Sequence, residues 1–217
     1  MKVLFVITAC FIFGAFSMVF FYAPSEATQG IVQKIFYIHV SSAMTMYLGF
    51  FITFLSGLMY LGERRLLWDE VASSCAEVAW VFCSIVLLTG PIWAKPIWGT
   101  WWTWEPRLTT TFLLWLMYSA YLFTRSAMED SSKKPLVSAV IGIVAFIDVP
   151  LIHYSVKLWR GIHPSVVSTK GGLPYSMKLT LAVCTIAFFL LFFVVSFYRF
   201  RLEQCKNRLK YMIEEGN

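Results

Sequence analysis

Six long runs almost free of charge constrain this chain more than any other feature. Reading between the charged residues gives apolar stretches at 3–22, 35–61, 71–94, 108–124, 136–152 and 179–198. A helix rises 1.5 Å per residue, so about 20 apolar residues cross the hydrocarbon of a bilayer. Four of the six runs hold no Asp, Glu, Lys or Arg; the third holds Glu77 and the fifth Asp148. The 217 residues are 59% apolar and 14% charged, where soluble domains run near half and a quarter. Too few charges are present to cover that apolar surface in water. The predicted fold is an all-α integral membrane protein, one polytopic domain of six transmembrane helices ending in a cytoplasmic tail at 199–217. The first run also reads as a signal-peptide core, but its length and the lack of a small-x-small cleavage site favour a retained helix.

Cys10, Cys75, Cys83, Cys184 and Cys205 form no CxxC pair and no CxxCH haem-attachment motif. A disulfide framework or a zinc cluster is therefore not expected, and the cysteines read as small apolar side chains. Orientation follows from the basic residues of the connections. With the N-terminus inside, eleven of the eighteen Lys and Arg fall on the cytoplasmic side. Both termini are then cytoplasmic and the two long connections, 95–107 and 154–178, lie outside. Elaborated loops carry function, so the chemistry is expected there.

The histidines fall on that same side. Counting about 20 residues up from the inner anchor at 63–65 leaves His39 at the outer rim of the hydrocarbon, and His153 comes about 17 residues after the start of the fifth run. His163 follows in the outer loop. Two imidazoles from separate helices at one depth suit the opposed axial positions of a haem iron. A structural, hydrogen-bonded pair is the alternative. Zinc or copper would need a third or fourth donor nearby.

Five of the nine tryptophans lie between 93 and 104. An aromatic belt spreads such residues over both interfaces, so this cluster exceeds that need. Pro96 suits the first turn of a short helix and Pro106 the start of the next. If the stretch between is helical, Trp98, Trp101 and Trp102 share one face and make an aromatic shelf, with Gly99 admitting a flat ligand to the backbone. Lys95 and Arg107 flank the shelf and could meet porphyrin propionates, or serve as helix-end anchors. Asp148 is a costly intramembrane carboxylate that needs a partner: Tyr154, a neighbouring helix, or His153. Glu77 lies too near the inner end of its run to be that partner.

The run 98–109, WGTWWTWEPRLT, resembles the tryptophan-rich WWD signature of the haem-handling proteins of cytochrome c maturation. Within that superfamily it is most similar to the haem exporter protein C (CcmC) family; the Arg-Leu-Thr ending and the small six-helix frame set it apart from the longer cytochrome c synthetases. The run 149–156, VPLIHYSV, with Trp159 and His163 after it, and the run 37–41, YIHVS, match in the family's order. The tryptophan signature is specific, whereas the histidine contexts would be weak alone. The resemblance implies a haem site facing the periplasm of a cell inner-membrane protein. It implies His39 and His153 as axial ligands, Trp98, Trp101, Trp102 and Trp104 as the shelf, and haem b as a transiently bound cargo. It further implies delivery to a periplasmic haem chaperone, whose own histidine attaches to a haem vinyl, in company with ATP-binding-cassette subunits and a small single-helix subunit. Two departures stand out: Glu105 where the family usually has Asp, and Asp148 where it more often has Asn.

The expected mechanism is a haem holder, not an enzyme: no Walker motif or catalytic triad occurs. Trp98, Gly99, Trp101, Trp102, Trp104 and Glu105 support the porphyrin, His39 and His153 grip the iron, and Arg107, with Lys95 or Lys157, binds propionates. The rival readings are a membrane b-type cytochrome carrying electrons, a haem–cytochrome ligase of the same superfamily, and a small-solute transporter, which the lack of repeats disfavours.

Overall fold

The computed structural model describes residues 2–26, 29–128, 132–159 and 173–215. The helices are α1 (Lys2–Ser17, running on as a π turn, Met18–Tyr22), α2 (Ile35–Glu63), α3 (Leu66–Trp98), α4 (Pro106–Ala127), α5 (Lys134–Phe146), α6 (Asp148–Leu158) and α7 (Tyr175–Glu215). The β-structure seen among the described residues is an isolated bridge between Glu26 and Gly30. α5 and α6 form one broken span, so six helical passes are counted, and the chain is an all-α, multi-pass membrane protein. Five passes are long and apolar enough to cross a bilayer by composition. α4 is of spanning length, about 33 Å, but is diluted by threonines at 109, 110 and 111. Each of these hydroxyls donates back to a carbonyl one turn earlier, on Glu105, Pro106 and Arg107, so none enters the bundle unsatisfied.

α2 and α3 form an antiparallel hairpin through a turn of two residues. Arg64 closes α2 in the left-handed region, φ 56°, its N–H donating to the Tyr60 carbonyl. The pair packs through small residues, as membrane helices do where no hydrophobic drive favours large ones. Ser42, Thr45, Gly49, Thr53 and Ser56 of α2 are buried, as are Ala72, Ala76 and Ala79 of α3, and the Thr53 hydroxyl, which donates to the Gly49 carbonyl at 2.9 Å, lies 3.3 Å from the Ala72 carbonyl across the pair. A Cβ at Gly49 would stand 2.6 Å from Ala79 Cβ and 2.7 Å from Phe192 of α7. Gly49→Ala is therefore expected to cost about 1–3 kcal/mol through overpacking, read as a fall in the unfolding midpoint in detergent. Gly62→Ala, where nothing lies within 4 Å, serves as the neutral control.

α4 and α5 complete the central bundle, with Phe50 stacked on Tyr118 at 3.7 Å between ring centroids. α7 lies across α2 and α3, and α1 packs on α7. The exposed faces carry Phe5, Phe13, Phe21, Phe193 and Phe197, a surface for lipid.

The fifth pass breaks at Ile147. Pro150 has no N–H for the Phe146 carbonyl and its ring would meet that oxygen, so α5 ends at Phe146. α5 packs on α2 and α4, whereas α6 packs on α4. The tail, whose residues 201–217 carry charges at helical spacing and read as a solvated extension, is continuous with α7 as far as Glu215. Its first part docks: Arg199 pairs with Glu77, Glu203 approaches Arg125 at 3.8 Å, and Asn207 donates to Glu70 at 2.9 Å.

Candidate functional site

His39 sits in a built cradle between α2 and α3. Its Nδ1 lies 2.9 Å from the Thr89 hydroxyl, and a Cβ on Gly90 would stand 3.4 Å from its Cε1. Trp93 meets the ring edge to face at 5.8 Å. The hairpin dictates this. Two antiparallel helices joined at residues 64–65 place residue 39 opposite a residue near 90, since each is about 25 residues, or 38 Å, from the turn.

His153 lies on α6 beside the start of α4. It is exposed, its ring is edge-on to Tyr154 at 5.1 Å, and its carbonyl accepts from Arg107 Nη2 at a long 3.5 Å. The rungs Trp80 Nε1 to the Ser119 hydroxyl and Trp115 Nε1 to the Ser84 hydroxyl set the register of α3 against α4, and put Arg107 level with residue 92. His39, level with 89 and 90, and the Arg107–His153 contact are therefore within about one helical turn in depth. Both imidazoles occupy the end of the bundle that carries the tryptophan segment. His163 lies outside the described residues, as does the side chain of Lys157.

Arg107 is half-buried, and its Nε has no hydrogen-bond partner among the described residues. Asp148 is 5% exposed, and neither carboxylate oxygen has a hydrogen-bond partner among the described residues. The expected bond to Tyr154 is not made, since Tyr154 turns outward at 54% exposure. Asp148 opens α6, where the positive end of the helix dipole favours a carboxylate, and it lies within electrostatic reach of Tyr47 and Cys83. Glu77 is paired elsewhere, with Arg199.

The tryptophan segment departs from the expected shelf. Pro96 does not open a short helix; it lies inside the last turn of α3, which runs to Trp98. Gly99 then adopts φ 73°, the left-handed closure that a residue without Cβ takes at no cost. Residues 99–105 are not helical, so Trp98, Trp101 and Trp102 do not share a helical face. Trp101 and Trp104 are exposed, at 57% and 73%, and Lys95 reaches over the Trp101 ring while donating to the Gly99 carbonyl. Trp102 and Trp104 line a cleft of about 550 Å³ with Phe112, Trp115 and the Ser84, Leu87, Leu88, Pro91 face of α3. His39 meets Thr89, Gly90 and Trp93, two residues out of phase and so on the opposite face of that helix. Trp93, inside the segment but before the signature, is the tryptophan that touches His39. Glu105, expected at the ligand, caps α4: its Oε1 accepts from the Leu108 N–H at 3.2 Å, with Pro106 at the first helical position.

No cluster of three His, Cys, Asp or Glu able to hold a bare metal ion occurs among the described residues. The cysteines described are thiols, Cys75, Cys83 and Cys184 buried and Cys10 and Cys205 exposed.

The family model described as Heme exporter protein C matches residues 1–214. The chain is similar to the Heme exporter protein C of Bradyrhizobium diazoefficiens, 35% identical over 191 residues, which span 87% of this chain and 73% of that protein. It is 31% identical to that of Paracoccus denitrificans over 91% of this chain and 83% of the relative. Against that of Escherichia coli K12 it is 29% identical over 84% and 74%. A match over nearly the whole chain, joined to the six-pass bundle, leads to one conclusion: the chain belongs to the haem exporter protein C family.

Proposed function

We propose that this protein holds haem b at the periplasmic face of the inner membrane and delivers it to a periplasmic haem chaperone, without itself catalysing attachment. Membership of the family carries haem handling in cytochrome c maturation; the holding mode is inferred from the site, and the recipient from the resemblance of the tryptophan signature. One observation supports it above the others: two imidazoles from separate helices, His39 on α2 and His153 on α6, lie at one end of the bundle within about a turn in depth, beside the tryptophan loop. That donor set fits a haem iron, whose porphyrin supplies four ligands and leaves two axial positions. Arg107, with an uncommitted Nε at the start of α4, is placed for a propionate, Arg being suited to bidentate carboxylate binding. Trp101 and Trp104 are the exposed aromatic edge that a docking chaperone would meet, since exposed tryptophans concentrate binding energy at interfaces. The basic residues of the turns at 64–65 and 133–134 and of the α7 extension support a reading in which the opposite end, with both termini, faces the cytoplasm. ATP-binding-cassette subunits and a small single-helix subunit complete the assembly in this reading.

The test is an absorption spectrum of the purified chain loaded with haemin, taken before and after adding the soluble domain of the chaperone. A six-coordinate low-spin spectrum that transfers to the chaperone is the expected result. Haem that stays bound and cycles with quinones instead identifies an electron carrier. Holocytochrome formed with apocytochrome alone identifies a ligase.

A further inference from the structure

A threonine hydroxyl has one proton to give. That of Thr89 goes to the Ile85 carbonyl one turn earlier at 2.7 Å, with the Val86 carbonyl a longer 3.4 Å away. With that proton on the Ile85 carbonyl, the 2.9 Å contact to His39 Nδ1 takes the polarity in which Nδ1–H donates and the Thr89 oxygen accepts. A neutral imidazole with its hydrogen on Nδ1 carries its lone pair on Nε2, the atom with which it ligates iron.

We propose that Thr89 is the positioning residue of the haem site, holding the His39 ring in the tautomer and orientation that present Nε2 to the iron. This rests on the reading of His39 as an axial ligand. Metal-bound histidines are generally set this way by a carbonyl or carboxylate on the second nitrogen. Here a hydroxyl does it, and its own direction is fixed by the backbone of α3. The surroundings keep the ring from turning. His39 is 9% exposed, so bulk water does not replace the hydroxyl. Gly90 faces Cε1, close enough that even a Cβ there would stand 3.4 Å from it, and Trp93 closes a further side at 5.8 Å. His153, exposed and edge-on to Tyr154, has no comparable enclosure among the described residues. The two ligands therefore differ in kind, one fixed before haem arrives and one set by its arrival.

The experiment is a haemin titration of the full-length chain in detergent, comparing wild type with Thr89→Val, Thr89→Ser and His39→Ala. Valine keeps the shape of threonine but neither donates nor accepts. Thr89→Val is expected to weaken haem binding about 10- to 100-fold, the usual penalty for losing the partner of a ligating histidine. Part of the low-spin spectrum should give way to high spin. Thr89→Ser, which restores the hydroxyl, should return both readouts to near wild type. The unfolding midpoint of the haem-free protein, measured alongside, separates a folding defect from a site defect; if the valine variant does not fold, Thr89→Ala takes its place. Binding by Thr89→Val within about twofold of wild type, where His39→Ala loses more than about tenfold, would overturn the role of Thr89 and leave the ligand reading standing. Equal weakness of the valine and serine variants would also overturn it. If His39→Ala binds haem as wild type does, the ligand reading itself fails, and this inference with it.

Discussion

A variant carrying alanine at both 39 and 153 is expected to lose the low-spin haem spectrum, with affinity lower by at least about 100-fold, or 2.7 kcal/mol or more. Removing both imidazoles leaves apolar contacts and a propionate–Arg107 pair to hold the porphyrin, and neither acts on the iron. The single variants should divide the loss unevenly. His39 is enclosed by Thr89, Gly90 and Trp93, so its replacement removes a ligand whose orientation is fixed in advance, and is expected to cost more. His153 is exposed, so its replacement should yield a five-coordinate, high-spin haem still held by His39. Folding is not the confounder at 153, because an exposed ring leaves no cavity. At 39 the unfolding midpoint of the haem-free protein provides the check. A wild-type Soret band in the double variant would exclude these residues as the axial pair.

The helical passes were legible in the sequence because a bilayer leaves the backbone few options. With no water to satisfy N–H and C=O groups, an apolar run of spanning length becomes a helix. The depth of the histidines was legible for the same reason: residues counted from a charged anchor convert directly to ångströms. The cradle of His39 was within reach too. The charged triplet 63–65 marks a tight turn, and the mirror position of 39 about that turn falls at 90, beside Thr89. The signal lies in the pairing of two adjacent runs and in neither run alone. The tryptophan stretch turns on one residue type. Pro96 suits the first turn of a helix, yet a membrane helix accommodates proline when neighbours satisfy the freed carbonyl, and α3 passes through both Pro91 and Pro96 to stop at Gly99. The shelf on one helical face disappears for that reason, and Trp102 and Trp104 turn to the far side of α3. The break at Ile147 had its cause in plain view at Pro150. The docking of the tail did not: Glu203 and Asn207 look like solvated helix positions until α3 and α4 bring Arg125 and Glu70 to meet them, and one helix considered alone carries no sign of that.

That meeting point, at the end of the bundle away from the tryptophans, should yield the largest stability loss in the protein. Arg125 grips Asp69 with both guanidinium nitrogens, at 2.5 and 3.0 Å, from side chains only 10% and 8% exposed. The Tyr121 ring stands 5.9 Å from the guanidinium carbon and Glu203 of α7 is 3.8 Å away, so one cation ties three helices. Asp69→Ala is expected to destabilise the protein by about 3–5 kcal/mol, because it strands a buried guanidinium with a single distant carboxylate. Arg125 cannot escape by losing its proton. Replacing both partners with apolar residues of similar volume, Asp69→Leu with Arg125→Met, should recover most of that loss, since the penalty lies in the unpaired charge and not in the absence of a salt bridge. A double-mutant cycle on the unfolding midpoint in detergent measures the coupling, and haem binding at temperatures below unfolding should be unaffected, the cluster being at the opposite end from His39 and His153. A cost below about 1 kcal/mol for Asp69→Ala is what a solvated surface pair would show, and would mean that water reaches this cluster in the membrane.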